Sequence, residues 1–240
     1  MFAGPNGSGK SILKSYLPKE WLGVYLNPDD LELKIREQGF LDFTAYGATT
    51  TDDEVLAFFK GSSFLASAGF GEAANRLGFT DGRLDFSRTE VNSYFASVVV
   101  DFLRQKLLES KISFTFETVM SHPSKVELLA QAKREGYRTY LYFIATDDPE
   151  INISRVHNRV KLGGHAVPED RIAPRYHRSL DLLMDAICHA NRAYVFDNSR
   201  ESQDASGTWI AEITEGRELE LKSNQIPAWF KRAVLSKIRS

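Results

Sequence analysis

Apolar positions along the chain fall into short runs separated by stretches of helical spacing, and the alternation starts at once. Met1-Phe2-Ala3 is apolar, and Ile12-Leu13-Lys14-Ser15-Tyr16-Leu17 reads as a helix. Gly23-Val24-Tyr25-Leu26-Asn27 is a β-rich run, followed by the helical Leu31-Glu32-Leu33-Lys34-Ile35-Arg36. Between residues 39 and 88 the alternation lapses, because Gly47, Thr49, Ser62, Gly69, Gly78 and Gly82 cut the chain into pieces. That segment reads as an insertion of small helices and loops that covers the substrate side of a site. From Thr89-Glu90 the pattern predicts a long helix, with Val91, Phe95, Val98, Val99, Phe102, Leu103 and Leu107 on one buried face.

Further on, 112–116 predicts a strand and 124–135 a helix closed by Gly136. The run 139–144 reads as a strand buried on both faces. Asp148-Pro149-Glu150 opens another helix, 172–191 predicts one more, and 193–196 is a strand. Residues 207–240 hold a hairpin over 208–222 and a final helix from about Pro227. Strands separated by helices imply an α/β fold, a three-layer αβα sandwich around a mostly parallel sheet. Ligands of such sheets bind at the carboxyl ends of the strands, so Asn6, Asp29, Glu117 and Asp197, each following a strand, are expected in one crevice.

The most specific chemistry follows the first apolar residues. Gly4-Pro5-Asn6-Gly7-Ser8-Gly9-Lys10-Ser11 is a full match to G-x-x-x-x-G-K-[ST]. The glycines let successive N–H groups turn inward around phosphates, and the following helix adds the positive end of its dipole. Lys10 is expected to reach the β- and γ-phosphates and Ser11 to ligate the Mg²⁺ between them. The fold expected is thus that of a P-loop NTPase binding Mg-ATP or Mg-GTP. Only three residues precede Gly4, whereas strands usually run to about five or six. Either the strand is short or the natural chain starts upstream.

Phosphoryl transfer also needs a carboxylate to accept the acceptor's proton and cations around the migrating charge. Asp29, in Asn27-Pro28-Asp29-Asp30, is the candidate base, with a helix cap as the alternative for either aspartate. Glu117 leaves an apolar strand beside the loop, suited to a Mg²⁺-bound water or a substrate hydroxyl, with Thr118 assisting. The stretch 155–178 is dense in cations: Arg155, Arg159, Lys161, Arg171, Arg175 and Arg178 flank Gly163-Gly164, which would let 160–172 bend as a lid. His165 is open between lid packing, phosphate contact and substrate contact.

Composition narrows the rest. A formal net charge of −2 gives no electrostatic footprint for nucleic acid. The single cysteine, Cys188, excludes an internal disulfide and a cysteine zinc cluster, fits a reducing cytoplasm, and is expected to pack in a helix with Leu182, Leu183 and Ile187. No signal peptide, lipidation motif or apolar stretch of about eighteen residues is present, so no membrane span is expected.

Taken together, the phosphate loop, Asn27-Pro28-Asp29-Asp30, Phe116-Glu117-Thr118, the segment 159–178 with Gly163-Gly164-His165-Ala166-Val167-Pro168, and Asp197-Asn198-Ser199 resemble the zeta toxin family of P-loop kinases. The similarity covers residues 1 to about 38 and about 90 to 200, leaving 39–88 without a counterpart. The resemblance implies a single kinase domain over 1–240. It also implies an ATP-dependent transfer to a small-molecule hydroxyl, UDP-N-acetylglucosamine in known members, and neutralisation by a small antitoxin. On the same basis Lys10 and Ser11 serve ATP and Mg²⁺, while Glu117 is expected as a second metal ligand from its place at the strand end beside the loop. Asp29 is the general base, and Arg159 and Arg171 contact the phosphates. Asn198 goes to the nucleotide, and Asn27, Glu117, Thr118, His165 and Arg175 to the substrate. Arg155 and Arg159 also resemble the Arg-x-x-x-Arg at the lid base of nucleoside monophosphate kinases, which places Arg155 along the adenine.

Two other readings stay open. The loop also resembles those of transporter ATPases, but a Leu-Ser-Gly-Gly-type signature and an apolar strand ending in Asp-Glu are absent. A non-catalytic nucleotide- or partner-binding module, with 39–88 as its interaction surface, is the third.

Overall fold

Phe2–Ala3 form a strand of only two residues, β1, and the phosphate-loop residues lead from it into helix α1, Lys10–Ser15. The computed structural model describes residues 1–164, 167–200 and 207–238. These divide into two units: Met1–Pro18 with Glu117–Ser240, and Lys19–Phe116.

In the second unit, β2 (Val24–Leu26) leads to α2 (Pro28–Gln38). Pro28 suits the first helical position because its missing N–H would have no intrahelical partner there. The preceding Asn27 therefore becomes the cap, its side chain accepting from the N–H groups of Asp29 and Asp30. Neither aspartate is the cap.

The segment from residue 39 contains β3 (Phe40–Asp42), α3 (Asp52–Lys60), α4 (Ser63–Ser67), α5 (Gly71–Ala74), β4 (Gly78–Thr80) and β5 (Arg83–Asp85). The small helices match the sequence reading, whereas the antiparallel sheet in order β3-β5-β4 was not expected. Three-residue strands between glycines are too short to show a period of two. The long helix α6 (Ser93–Glu109) starts later than Thr89-Glu90, because Asn92 caps it through the N–H groups of Tyr94 and Phe95. Its expected stripe, from Phe95 to Leu107, is buried. β6 (Phe114–Thr118) pairs in parallel with β2 through Phe114, Thr115 and Phe116.

Glu117 and Thr118, the end of β6, belong to the first unit, where they pair in parallel with Phe2 and Ala3. That unit continues with α7 (Ser124–Arg134), β7 (Tyr140–Ala145), α8 (Pro149–Lys161), α9 (Glu169–Asp181), α10 (Leu183–Cys188) and β8 (Arg192–Asp197). The hairpin β9 (Thr208–Thr214) and β10 (Glu218–Leu221) follows. Last come α11 (Ala228–Phe230), a π-helix over Lys231–Leu235, and α12 (Ser236–Ile238). β1 lies between β6 and β7, β7 pairs in parallel with β8, and β9 and β10 close the edge antiparallel. The fold is α/β with a mostly parallel sheet, as the alternation predicts.

The shortness of β1 is offset by side-chain packing. Phe2 stacks on Tyr142 at 5.0 Å and Tyr142 on Tyr194 at 4.9 Å, so one ring ladder crosses β1, β7 and β8 at directly opposed positions. The single helix expected over 172–191 is instead divided at Leu182 and ends at Cys188. Asn191 is drawn out of helical geometry because its side chain accepts from the Thr139 N–H and its own N–H bonds the Thr139 carbonyl. Cys188 is exposed at that helix end, not packed with Leu183 and Ile187. No described helix is long and apolar enough to cross a membrane.

Candidate functional site

The phosphate loop takes its shape from three glycines with positive φ, at +143° for Gly4, +73° for Gly7 and +104° for Gly9. Space is as restrictive as torsion. A Cβ on Gly4 would lie 2.0 Å from the Ile144 carbonyl oxygen, on Gly7 2.7 Å from that of Asn152, and on Gly9 2.5 Å from Asn198 Nδ2. Gly9 caps α1, so the free N–H groups of that helix open onto the loop. Lys10 Nζ donates back to the carbonyls of Gly4 at 2.8 Å and Pro5 at 2.9 Å, which stations the cation along the loop. Ser8 is fully buried, and its Oγ, like Asn6 Oδ1, has no hydrogen-bond partner among the described residues.

Ser11 Oγ donates to Glu117 Oε1 at 3.2 Å, joining the start of α1 to the end of β6. Glu117 is buried. A hydroxyl and a carboxylate, both hard oxygen donors, beside a phosphate-shaped loop are the ligand types Mg²⁺ takes, so this pair could hold that ion. Thr118 Oγ1 accepts from the Met120 N–H at 3.0 Å in the turn after β6. Asn198 donates from Nδ2 to the Ser8 carbonyl at 2.8 Å, and its own carbonyl accepts from Arg155 Nη1 at 2.8 Å. Asp197, expected in the crevice, is occupied structurally: Oδ1 accepts from Ser199 Oγ at 2.6 Å and from the buried Trp229 indole at 2.8 Å.

On the helices either side of Gly163-Gly164, Arg159 and Arg171 are exposed and Arg175 half-buried. A hydrogen bond between His157 Nε2 and Glu169 Oε2 at 3.1 Å links α8 to α9. Gly163 sits at φ +86° with open space about it, while a Cβ on Gly164 would lie 2.5 Å from Arg159 Cγ. The first glycine therefore serves the turn and the second the close approach to Arg159. His165 lies outside the described residues. In the other unit, Asp29 is exposed in the first turn of α2, and Asn27 Oδ1 is engaged in its cap.

One residue of this neighbourhood carried no sequence signal. Asn152, fully buried in α8, donates from Nδ2 to the Asn6 carbonyl at 2.5 Å and accepts from Thr146 Oγ1. A lone asparagine in a helix resembles any surface polar residue, and its loop partner lies 146 positions away.

A family model described as Zeta toxin matches residues 85–212, more than half of the chain. A Haemophilus influenzae protein described as uncharacterized is 35% identical over 69 residues, which cover 29% of this chain and 49% of that one. Among solved structures, the chain superimposes over its full length on the AvrRxo1-ORF1:AvrRxo1-ORF2 complex with sulphate ions, with a TM-score of 0.52 and 15% identity. The same complex with ATP gives 0.52 and 16%. At such identity the likeness is one of fold. The chain spans about half the length of the curated relative and 63% of each of those structural neighbours.

Proposed function

The chain belongs to the zeta toxin family, and from that premise we propose that it is an ATP-dependent kinase of a small metabolite. The acceptor in this reading is a hydroxyl of UDP-N-acetylglucosamine or a related nucleotide sugar, and a small antitoxin protein holds the enzyme in check. The observation that carries the reading is the Ser11–Glu117 hydrogen bond beside a loop whose three positive-φ glycines suit N–H groups turned inward around a phosphate. A structural neighbour crystallised with ATP adds support.

In the reaction, the acceptor oxygen bonds to the γ-phosphorus as the bond to the β–γ bridging oxygen breaks, releasing ADP. Asp29 takes the hydroxyl proton. Lys10 lies along the β- and γ-phosphates, and Arg159 and Arg171 close over the transferring group as its charge spreads. Ser11 and Glu117 would hold Mg²⁺, which supplies neutralisation of the phosphate oxygens when bound. Arg155, steadied by the Asn198 carbonyl, flanks the adenine. Asn27, Thr118, His165 and Arg175 orient the acceptor.

Incubating a metabolite extract with γ-labelled ATP and wild-type protein or Lys10→Ala tests the proposal. Label should move to a small molecule with the wild type and not with the variant. Hydrolysis of ATP without a labelled acceptor would replace the kinase with an ATPase.

A further inference from the structure

A phosphate-binding nest turns its N–H groups to one side, and the carbonyls between them must face the other. Here two of those outward carbonyls, Asn6 and Ser8, each meet the side-chain amide of a buried asparagine, Asn152 at 2.5 Å and Asn198 at 2.8 Å. We infer that Asn152 and Asn198 are positioning residues for ATP, clamping the loop from behind so that its N–H groups stay turned to the phosphates. The inference rests on the kinase reading for its ligand, while the clamp belongs to the chain itself.

The orientation of both amides is fixed by chemistry. A carbonyl only accepts, so the group facing it must be the NH₂ of each asparagine. The rest of the Asn152 amide is also used, since Oδ1 accepts from the buried Thr146 hydroxyl. Turning either amide over would set its oxygen against a carbonyl oxygen and leave that carbonyl without its donor. The loop also lies flush against α8, because any side chain at Gly7 would strike the Asn152 carbonyl.

The two clamps are tied to the helices that carry the lid cations. The Thr146 carbonyl accepts from the Tyr176 hydroxyl at 2.7 Å, and Tyr176 lies on α9 between Arg175 and Arg178. Arg155, one turn beyond Asn152 on α8, donates to the Asn198 carbonyl. One connected network thus sets the loop's carbonyl face and the roots of both lid helices.

The test uses Asn152→Asp and Asn198→Asp in the full chain. Each keeps the side chain's shape and places an oxygen where the donor stood. Folding is checked by circular dichroism, ATP affinity by calorimetry, and loop geometry by amide hydrogen exchange at Gly7, Ser8, Gly9 and Lys10. Each variant should weaken ATP about tenfold, the effect of losing one buried hydrogen bond, and raise KM for ATP far more than it lowers kcat. Exchange at the four amides should accelerate with or without nucleotide. Tyr176→Phe, which removes one oxygen from the network, should do the same more weakly and serves if an aspartate variant fails to fold. Variants that fold, bind ATP within twofold of wild type and leave exchange unchanged would overturn the clamp. A wild type that ignores ATP while the variants still loosen the loop would overturn the kinase reading alone.

Discussion

Replacing Gly4 by alanine should damage the first unit far more than an ordinary glycine replacement. Its φ of +143° is a region alanine occupies at a cost of about 1–3 kcal/mol. The new Cβ would lie 2.0 Å from the Ile144 carbonyl oxygen, 3.1 Å from the carbonyl carbon and 3.1 Å from Ser8 Oγ. Ordinary contact begins near 3.4 Å, so a main-chain group of β7 must retreat by more than 1 Å. That strand is held on both sides by β1 and β8, and overpacking of this kind adds about 1–3 kcal/mol. The sum is about 2–6 kcal/mol. Gly136 supplies the control: its φ is +89° but nothing lies within 4 Å of its Cβ position, leaving only torsional strain of about 1–2 kcal/mol. Urea unfolding followed by tryptophan emission reads this unit, because Trp229 is fully buried whereas Trp21 is 69% exposed. With a slope of about 2 kcal/mol per molar, the midpoint should fall by about 1–3 M in Gly4→Ala and by less than about 1 M in Gly136→Ala. Equal shifts in the two variants would refute the steric argument.

Three further outcomes are expected. Glu117→Gln keeps the side chain's shape and should weaken Mg²⁺-dependent ATP binding by about 10–100-fold, measured calorimetrically with and without the ion; an unchanged Mg²⁺ dependence would remove Glu117 from the metal site. Asp29→Ala should lower kcat by about 10²–10⁴-fold in the labelled-ATP assay with ATP affinity retained, and full turnover would sink the assignment of the base. Burial pushes the Tyr142 and Tyr176 phenols up to about 12, with Arg232 opposing the shift at Tyr176. Because these folded-state values lie above the ordinary 10, the stability they contribute is complete below pH 10 and is lost as the pH climbs through 12. Urea midpoints measured from pH 9 to 12 should therefore fall less in Tyr142→Phe/Tyr176→Phe than in wild type.

The sequence made the skeleton of the fold readable wherever a pattern was long or chemically constrained. The apolar stripe of α6 spans many turns, the run of β7 is uninterrupted, and the loop glycines answer to one geometry, so each was legible. What escaped depended on neighbours remote in sequence or on a competition among adjacent residues. Asn27 displaced Asp29 and Asp30 as the cap because Pro28 fixed the first helical position. Asn92 displaced Thr89 as the start of α6 because its side chain accepts from the Tyr94 and Phe95 N–H groups. The sheet of β3, β4 and β5 was hidden by its three-residue strands, and Cys188 reached the surface because Asn191 answers Thr139 and ends the helix early. In the candidate site, Ser11 and Glu117 were named from residue type and strand position, and the structure brings them to 3.2 Å. The role of Asn152 was invisible because it depends on a carbonyl across the loop and a hydroxyl before the helix.

The hydrogen bond between Asn198 and Ser8 joins residues 190 positions apart, and the strand end bearing Asn198 is moored in turn by Trp229. A ribosome adding roughly 5–20 residues per second delivers the second partner roughly 10–40 s after the first. Until Asn152 is made both backing amides are missing, and from then until Asn198 follows one of the two still is. The support behind the loop is therefore completed only late in synthesis, once the residues around Trp229 have emerged and docked.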